Sequence, residues 1–309
     1  MFVRVLLFMI VATVGGEIYA RYFLGLGDPP LYVRDSEIEY LNKPGTYRRL
    51  GHPIHINPWS MRSPDFPEKK TDSNELRILV VGDSVVYGGA WMRDEDTATW
   101  KLAQKLSKAA GRPVVVANIS AGSWGPPNEL AYLERFGDFD ADAIIVVWSS
   151  HDAWDVPTFA PLGVENPTAR PKSALSELVF RYVIPRYFRP AAPPQAHTME
   201  QADASLHAAR AILDFARSRS IPIGVVLHST QAELSERSVE GLDAFRAVAE
   251  SEGAPVFLTS SVLAAPAREG SKVYQDDIHP TPEGQTLLAD LYFQIAAKLL
   301  SSPMPGEGK

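Results

Sequence analysis

The chain has 309 residues, 45% apolar and 22% charged, enough for one full hydrophobic core with additions. A formal net charge of -7, with no cluster of Lys and Arg, excludes a nucleic-acid surface. The absence of cysteine excludes disulfides, cysteine-ligated metals, a thiol nucleophile and a lipidated N-terminal cysteine.

At the N-terminus one early cation, Arg4, precedes the uncharged run Val5 to Gly16. The run is longer than a signal peptide requires and shorter than a comfortable bilayer span. Ile18-Tyr19-Ala20 is a poor cleavage site, so residues 1–26 read as an uncleaved signal anchor, with a cleaved signal peptide or a buried core helix as alternatives. The anchor reading implies membrane attachment through this segment, with the body exported and facing the periplasm from the inner membrane. Residues 27–71 carry the turn signals Asp28-Pro29-Pro30, Lys43-Pro44-Gly45, Asn57-Pro58 and Ser63-Pro64. They are expected to form a loop-rich extension strapped over the domain surface.

From residue 72 to 302 short apolar runs alternate with longer amphipathic segments. Leu76–Val81, Val114–Ala117, Ala143–Trp148, Ile223–Leu227 and Pro255–Leu258 have the β-branched, breaker-bounded character of strands buried on both faces. Helices are expected at Thr97–Ala110, Asn128–Phe136, Met199–Ser218, Val239–Glu252 and Pro282–Leu300. Thr198 with Gln201 forms a capping-box pattern, and Thr281 before Pro282 marks the last helix start. The alternation predicts an α/β fold, a parallel sheet of about five strands covered on both faces. A proline- and aromatic-rich insertion interrupts it at 155–197, and 303–309 reads as a tail.

Ligands of open α/β sheets bind beyond the carboxyl ends of the strands, so polar residues just after the apolar runs matter most. The first run ends in Gly82-Asp83-Ser84, placing a serine near a helix start, where its own N–H can help hold an oxyanion. Taken alone this tripeptide is an ordinary turn. Near the other end Asp276-Asp277-Ile278-His279-Pro280 precedes the last helix, with a carboxylate three residues before a histidine. That spacing lets the carboxylate receive the imidazole N–H and fix the tautomer of a general base. Ser84, Asp276 and His279 are therefore the candidate catalytic residues.

Val80-Val81-Gly82-Asp83-Ser84 and Asp276-Asp277-Ile278-His279-Pro280, in that order, resemble the first and last signature blocks of the SGNH (GDSL-like) hydrolase superfamily. The likeness covers roughly 76–300. Ile56-Asn57-Pro58-Trp59-Ser60-Met61-Arg62 also looks like the lead-in of anchored bacterial members often found near exopolysaccharide genes. The resemblance implies a three-layer α/β/α, flavodoxin-like domain in which the serine attacks an ester carbonyl. It also implies two further oxyanion donors. The backbone N–H after the second strand falls at Gly122 or Ser123. The asparagine of the third block is replaced here by His151, within Ser149-Ser150-His151-Asp152. An imidazole N–H can donate in place of an amide. Asp83, Asp152, Trp124 and Trp154 are candidate substrate-binding residues, the tryptophans as platforms for a sugar ring. No metal or other cofactor is expected.

These readings converge on a serine esterase or O-acyltransferase acting on an acylated glycan through an acyl-serine intermediate. A lipase or thioesterase of the same superfamily and a catalytically weak glycan-binding scaffold are the alternatives. The sequence does not indicate oligomeric state.

Overall fold

The computed structural model describes residues 1–164, 166–188 and 197–301. An N-terminal helix α1 (Phe2–Ile18) continues through a wider turn to Phe23. Two short hairpins follow, β1 (Tyr32–Asp35) with β2 (Glu39–Asn42), and β3 (Gly45–Arg49) with β4 (His52–Ile56). The body then runs β5 (Leu76–Gly82), α2 (Ser84–Tyr87), α3 (Ala98–Ala110), β6 (Val114–Ser120), α4 (Pro126–Phe136) and β7 (Ala143–Ser149). Within the insertion lie α5 (Ala174–Glu177) and α6 (Ile184–Phe188), joined by a π-helical stretch. The remainder is α7 (Met199–Ser218), β8 (Ile223–His228), α8 (Glu240–Ser251), β9 (Val256–Leu258), α9 (Ser260–Arg268) and α10 (Pro282–Ser301). Residues 189–196 of the insertion and the expected 303–309 tail lie outside the described residues.

The five strands β5 to β9 form one parallel sheet in the order β6-β5-β7-β8-β9. Alternate residues of each strand serve two separate cores, as the strand period of two requires. Leu79, Val81, Ile144, Val146 and Val225 face α4, α7 and α8, where Leu133, Ile212 and Phe245 are buried. Ile78, Val80, Ile145, Val147 and Val226 face α3, α9 and α10, against Leu102, Leu263, Leu288 and Ile295. Fully burying each such aliphatic side chain contributes about 2 kcal/mol as an upper value. This is the expected three-layer fold. The helix starts are also local: Thr198 Oγ1 accepts from Gln201 N at 3.1 Å while Gln201 Oε1 accepts from Thr198 N at 3.0 Å.

Residues 27–71 differ from the expected surface strap. Besides forming two hairpins, they send Tyr32, Ile38, Tyr40, Leu41, Met61 and Phe66 into the same core as Leu79 and Trp148. Two buried arginines fasten them. Arg77 of β5 donates to the carbonyls of Pro67, Glu68 and Phe139. Arg62 donates to the carbonyls of Tyr87, Gly89 and Met92 and pairs with Asp94 at 2.7 Å. Both guanidinium groups are fully covered, a placement tolerated only because each has a carboxylate and several carbonyls to bond.

Candidate active site

Register brings three strand ends together. Gly82 of β5 lies beside Ser120 of β6 and Val147 of β7, so Ser84, Gly122 and Ser149 each stand two residues beyond one shared line. Gly82 is required there: a Cβ would come within 2.7 to 2.8 Å of Val86 and the Val147 carbonyl oxygen. Asp83 caps α2, its Oδ1 accepting from Val85 N at 2.8 Å, and Ser84 is the first residue of that helical turn.

From the opposite end of the chain, the loop before α10 delivers a histidine. His279 Nε2 lies 2.9 Å from Ser84 Oγ, and His279 Nδ1 lies 2.8 and 2.9 Å from the two oxygens of Asp276. With its Nδ1–H donated to the carboxylate, Nε2 is the acceptor for the serine proton. The Asp276 carboxylate also accepts from Ile278 N and His279 N at 3.1 and 2.9 Å. Partial burial pushes its pKa up, but the His279 N–H, the His279 ring and the Ile278 N–H together pull it below the ordinary carboxylate value.

The loop is braced from β8. His228 is fully buried and donates Nε2–H to the Ile278 carbonyl at 2.9 Å. Burial lowers its pKa to about 4, the hydrogen bond opposing, so the ring is neutral at physiological pH. Tyr274 O–H donates to the Ser229 carbonyl at 2.5 Å, and Gln231 N to the Asp277 carbonyl at 2.6 Å.

Beyond β6, Gly122 has an ordinary backbone conformation while Ser123 takes the left-handed one, φ 60°. The Gly122 carbonyl accepts the Tyr40 hydroxyl, tying this turn to β2. Beyond β7, His151 is half-buried, its Nε2 facing three carboxylates: Asp152 at 3.3 Å, Asp83 at 3.6 Å and Asp155 at 3.6 Å. Burial raises the pKa of all three acids, the charges of neighbouring acids adding to the effect at Asp152 and His151 opposing it at Asp83 and Asp155. Asp83 Oδ2 and Asp152 Oδ1 have no hydrogen-bond partner. Asp83, His151 and Asp152 offer ligand atoms within 4.8 Å of one another, so these residues have the donor types for a cation.

The four expected substrate contacts divide. Trp154 is half-buried beside the site and stacks on His197 at 4.7 Å. Trp124, however, is only 1% exposed, packs against Tyr132 and donates Nε1–H to the Tyr40 carbonyl, so neither of its faces is open to a sugar. Asp83 and Asp152 are likewise fully covered and meet the backbone N–H groups of Val85 and Ser149, so a sugar does not reach them directly. Sequence reasoning missed Trp91, whose ring meets His279 edge-on at 5.3 Å, and Arg62, which holds the segment leading to Trp91. A tryptophan seven residues after the serine was the available signal for the first; the second ends the lead-in motif Ile56–Arg62, but nothing local marks its partners at Tyr87, Gly89 and Met92.

Residues 80–287, more than half of the chain, match the GDSL-like lipase/acylhydrolase family, and the chain belongs to that family. Its fold is accordingly that of the SGNH class, to which the five-stranded sheet and the Ser84–His279–Asp276 contacts correspond. No curated protein matches it in sequence. Among solved structures it is similar to a two-domain esterase active on acetylated mannans, co-crystallised with mannopentaose, at 12% identity and TM-score 0.47 over 75% of this chain. It spans about half, 51%, of that protein. It is also similar to the acetyl xylan esterase AlAXEase, at 11% identity and TM-score 0.47, over 71% of this chain and 99% of that one. A G-D-S-L lipolytic protein from Veillonella parvula DSM 2008 is similar at 12% identity and TM-score 0.44, over 72% and 100%.

Proposed function

We propose that the protein is a membrane-anchored, exported esterase of acylated carbohydrates that works through an acyl-Ser84 intermediate. The observation that carries this reading is the continuous contact from Ser84 Oγ through His279 to Asp276. As Ser84 Oγ attacks the ester carbonyl, His279 Nε2 takes the hydroxyl proton, and Asp276 steadies the imidazolium. The backbone N–H of Ser84, that of Gly122 or Ser123, and the His151 ring are the donors for the tetrahedral oxyanion. His279 returns the proton to the departing sugar oxygen. Water, or a second sugar hydroxyl, then attacks the acyl group, with His279 again accepting the proton; the nucleophile distinguishes hydrolysis from transfer.

Carbohydrate is favoured by the flanking aromatic rings of Trp91 and Trp154, which suit the apolar faces of a pyranose. The helix Phe2–Phe23, with mean hydropathy 1.8, is long and apolar enough to cross a membrane. An anchor is favoured over a cleaved signal because its base belongs to the fold: Ala20 and Leu26 form a buried cluster with Ala174, which cleavage near Ala20 would open. Residues 72–302 form the catalytic unit in this reading, with 27–71 completing its core.

Reaction of the full chain with a fluorophosphonate probe, beside Ser84→Ala and His279→Ala, tests the assignment. Labelling should vanish in the first variant and fall steeply in the second, and acetyl release from acetylated oligosaccharides should fall with it. A wild-type protein that is folded but unlabelled would refute the nucleophile. Acetyl release unchanged by added unacetylated acceptor identifies hydrolysis, and appearance of acetylated acceptor identifies transfer.

A further inference from the structure

The exposed apolar side chains outside the N-terminal helix concentrate in the insertion. Phe180, Val183, Ile184 and Tyr187 follow the spacing i, i+3, i+4, i+7, which places them along one face of the helical segment from Ala174 to Phe188. In a soluble protein such a stripe is buried. Here Phe180 is 60% and Tyr187 75% exposed.

The position of this segment identifies what covers the stripe. Its first turn is fixed to the foot of the apolar N-terminal helix: Glu17 accepts from Ala174 N at 3.1 Å and Leu175 N at 2.8 Å, and Gly16 packs on the Leu175 side chain. Glu177, buried, accepts from Gly27 N at 2.6 Å and pairs with Arg49 at 2.7 Å, so the attachment is rigid. The last turns of the N-terminal helix expose Tyr19, Tyr22 and Phe23, the residue types that gather at a membrane–water interface. Arg186, exposed on the insertion helix, adds a cation suited to anionic headgroups.

We propose that the segment Ala174–Phe188 is an interfacial helix, its Phe180–Tyr187 stripe seated in the headgroup region of the same bilayer that the N-terminal helix crosses. This rests on the anchor reading. A single spanning helix would leave the body free to swivel; a second contact fixes one side of it toward the membrane and so limits the directions from which a polymer reaches Ser84.

Because the chain has no cysteine, single cysteines can be placed and labelled cleanly. The full chain, reconstituted in phosphatidylethanolamine–phosphatidylglycerol vesicles, would carry an environment-sensitive fluorophore at Ile184→Cys, Tyr187→Cys, Val11→Cys or Glu250→Cys, each variant checked for fluorophosphonate reactivity. The expected result is blue-shifted emission at 184 and 187 with most of it lost to lipids spin-labelled near the headgroup. Val11→Cys should respond to deep spin labels and Glu250→Cys to neither. Quenching at Val11→Cys without quenching at 184 and 187 overturns the interfacial helix while the anchor stands. No quenching at any position overturns both. Emission at 187 that responds to dilution with unlabelled protein but not to spin-labelled lipid assigns the stripe to a second copy and also overturns the proposal.

Discussion

His228 gives a prediction in which stability and the site are linked. Its unfolded imidazole takes up a proton below its ordinary value of 6.5, whereas the buried ring resists until about 4. Between those limits the native state binds fewer protons than the unfolded one. The contribution is therefore complete above pH 6.5 and is lost as pH falls toward 4, amounting to about 3 kcal/mol. His228→Gln keeps an N–H for the Ile278 carbonyl and removes the titration. Urea unfolding of wild type and variant, followed by near-ultraviolet circular dichroism at pH 7 and pH 4, should show the variant losing about 3 kcal/mol less on acidification. His228→Leu instead strands the carbonyl, at a cost of about 1–3 kcal/mol at pH 7 that shrinks toward pH 4, where the wild type loses its own contribution. By loosening the loop that carries Asp276 and His279, it should lower kcat more than it raises KM. Parallel pH slopes for wild type and His228→Gln would refute the buried, neutral histidine.

Glu129 should act in the opposite direction. Burial, with the Trp148 indole N–H opposing and Asp83 adding to the rise, pushes its pKa up to about 8, so the native state holds a proton that the unfolded state releases above 4.5. Stability is lost as pH rises through that window, by up to about 5 kcal/mol, and Glu129→Gln should flatten the dependence in the same unfolding assay. Ser123→Gly relieves the left-handed backbone at φ 60° and should stabilise by about 0.5 kcal/mol after the added chain entropy is deducted, measured as a small rise in Tm. Dialysis against a chelator should leave ester turnover unchanged, because the Ser84–His279–Asp276 contacts are complete without a metal. Loss of turnover restored by one divalent ion would assign Asp83, His151 and Asp152 to a cation.

The sheet was legible because strands buried on both faces must be apolar throughout, and Leu76–Gly82 and Ala143–Ser149 are buried at every position. Met199–Ser218 was legible to the residue because its capping partners are local. The hairpins of 27–71 were not. Their strands are four or five residues long, and β3 carries Arg48 and Arg49, which read as surface residues; yet Arg49 is buried against Glu177, 128 residues away. Trp124 and Trp154 illustrate the same limit at the site. Both follow strand-end loops, and only the tertiary contact with Tyr132 separates a core ring from an accessible one.

The matched family region begins at residue 80, but the two buried arginines show that the folding unit does not. Arg62 precedes the matched region and grips the carbonyls at the end of the turn that carries Ser84. Arg77 reaches back to those of Pro67 and Glu68. Recombining the matched segment alone into another protein would leave the nucleophile's turn without its Arg62 clamp and the Phe139 carbonyl without its Arg77 donor. For engineering or domain exchange the indivisible module is the whole body that follows the N-terminal helix, hairpins included.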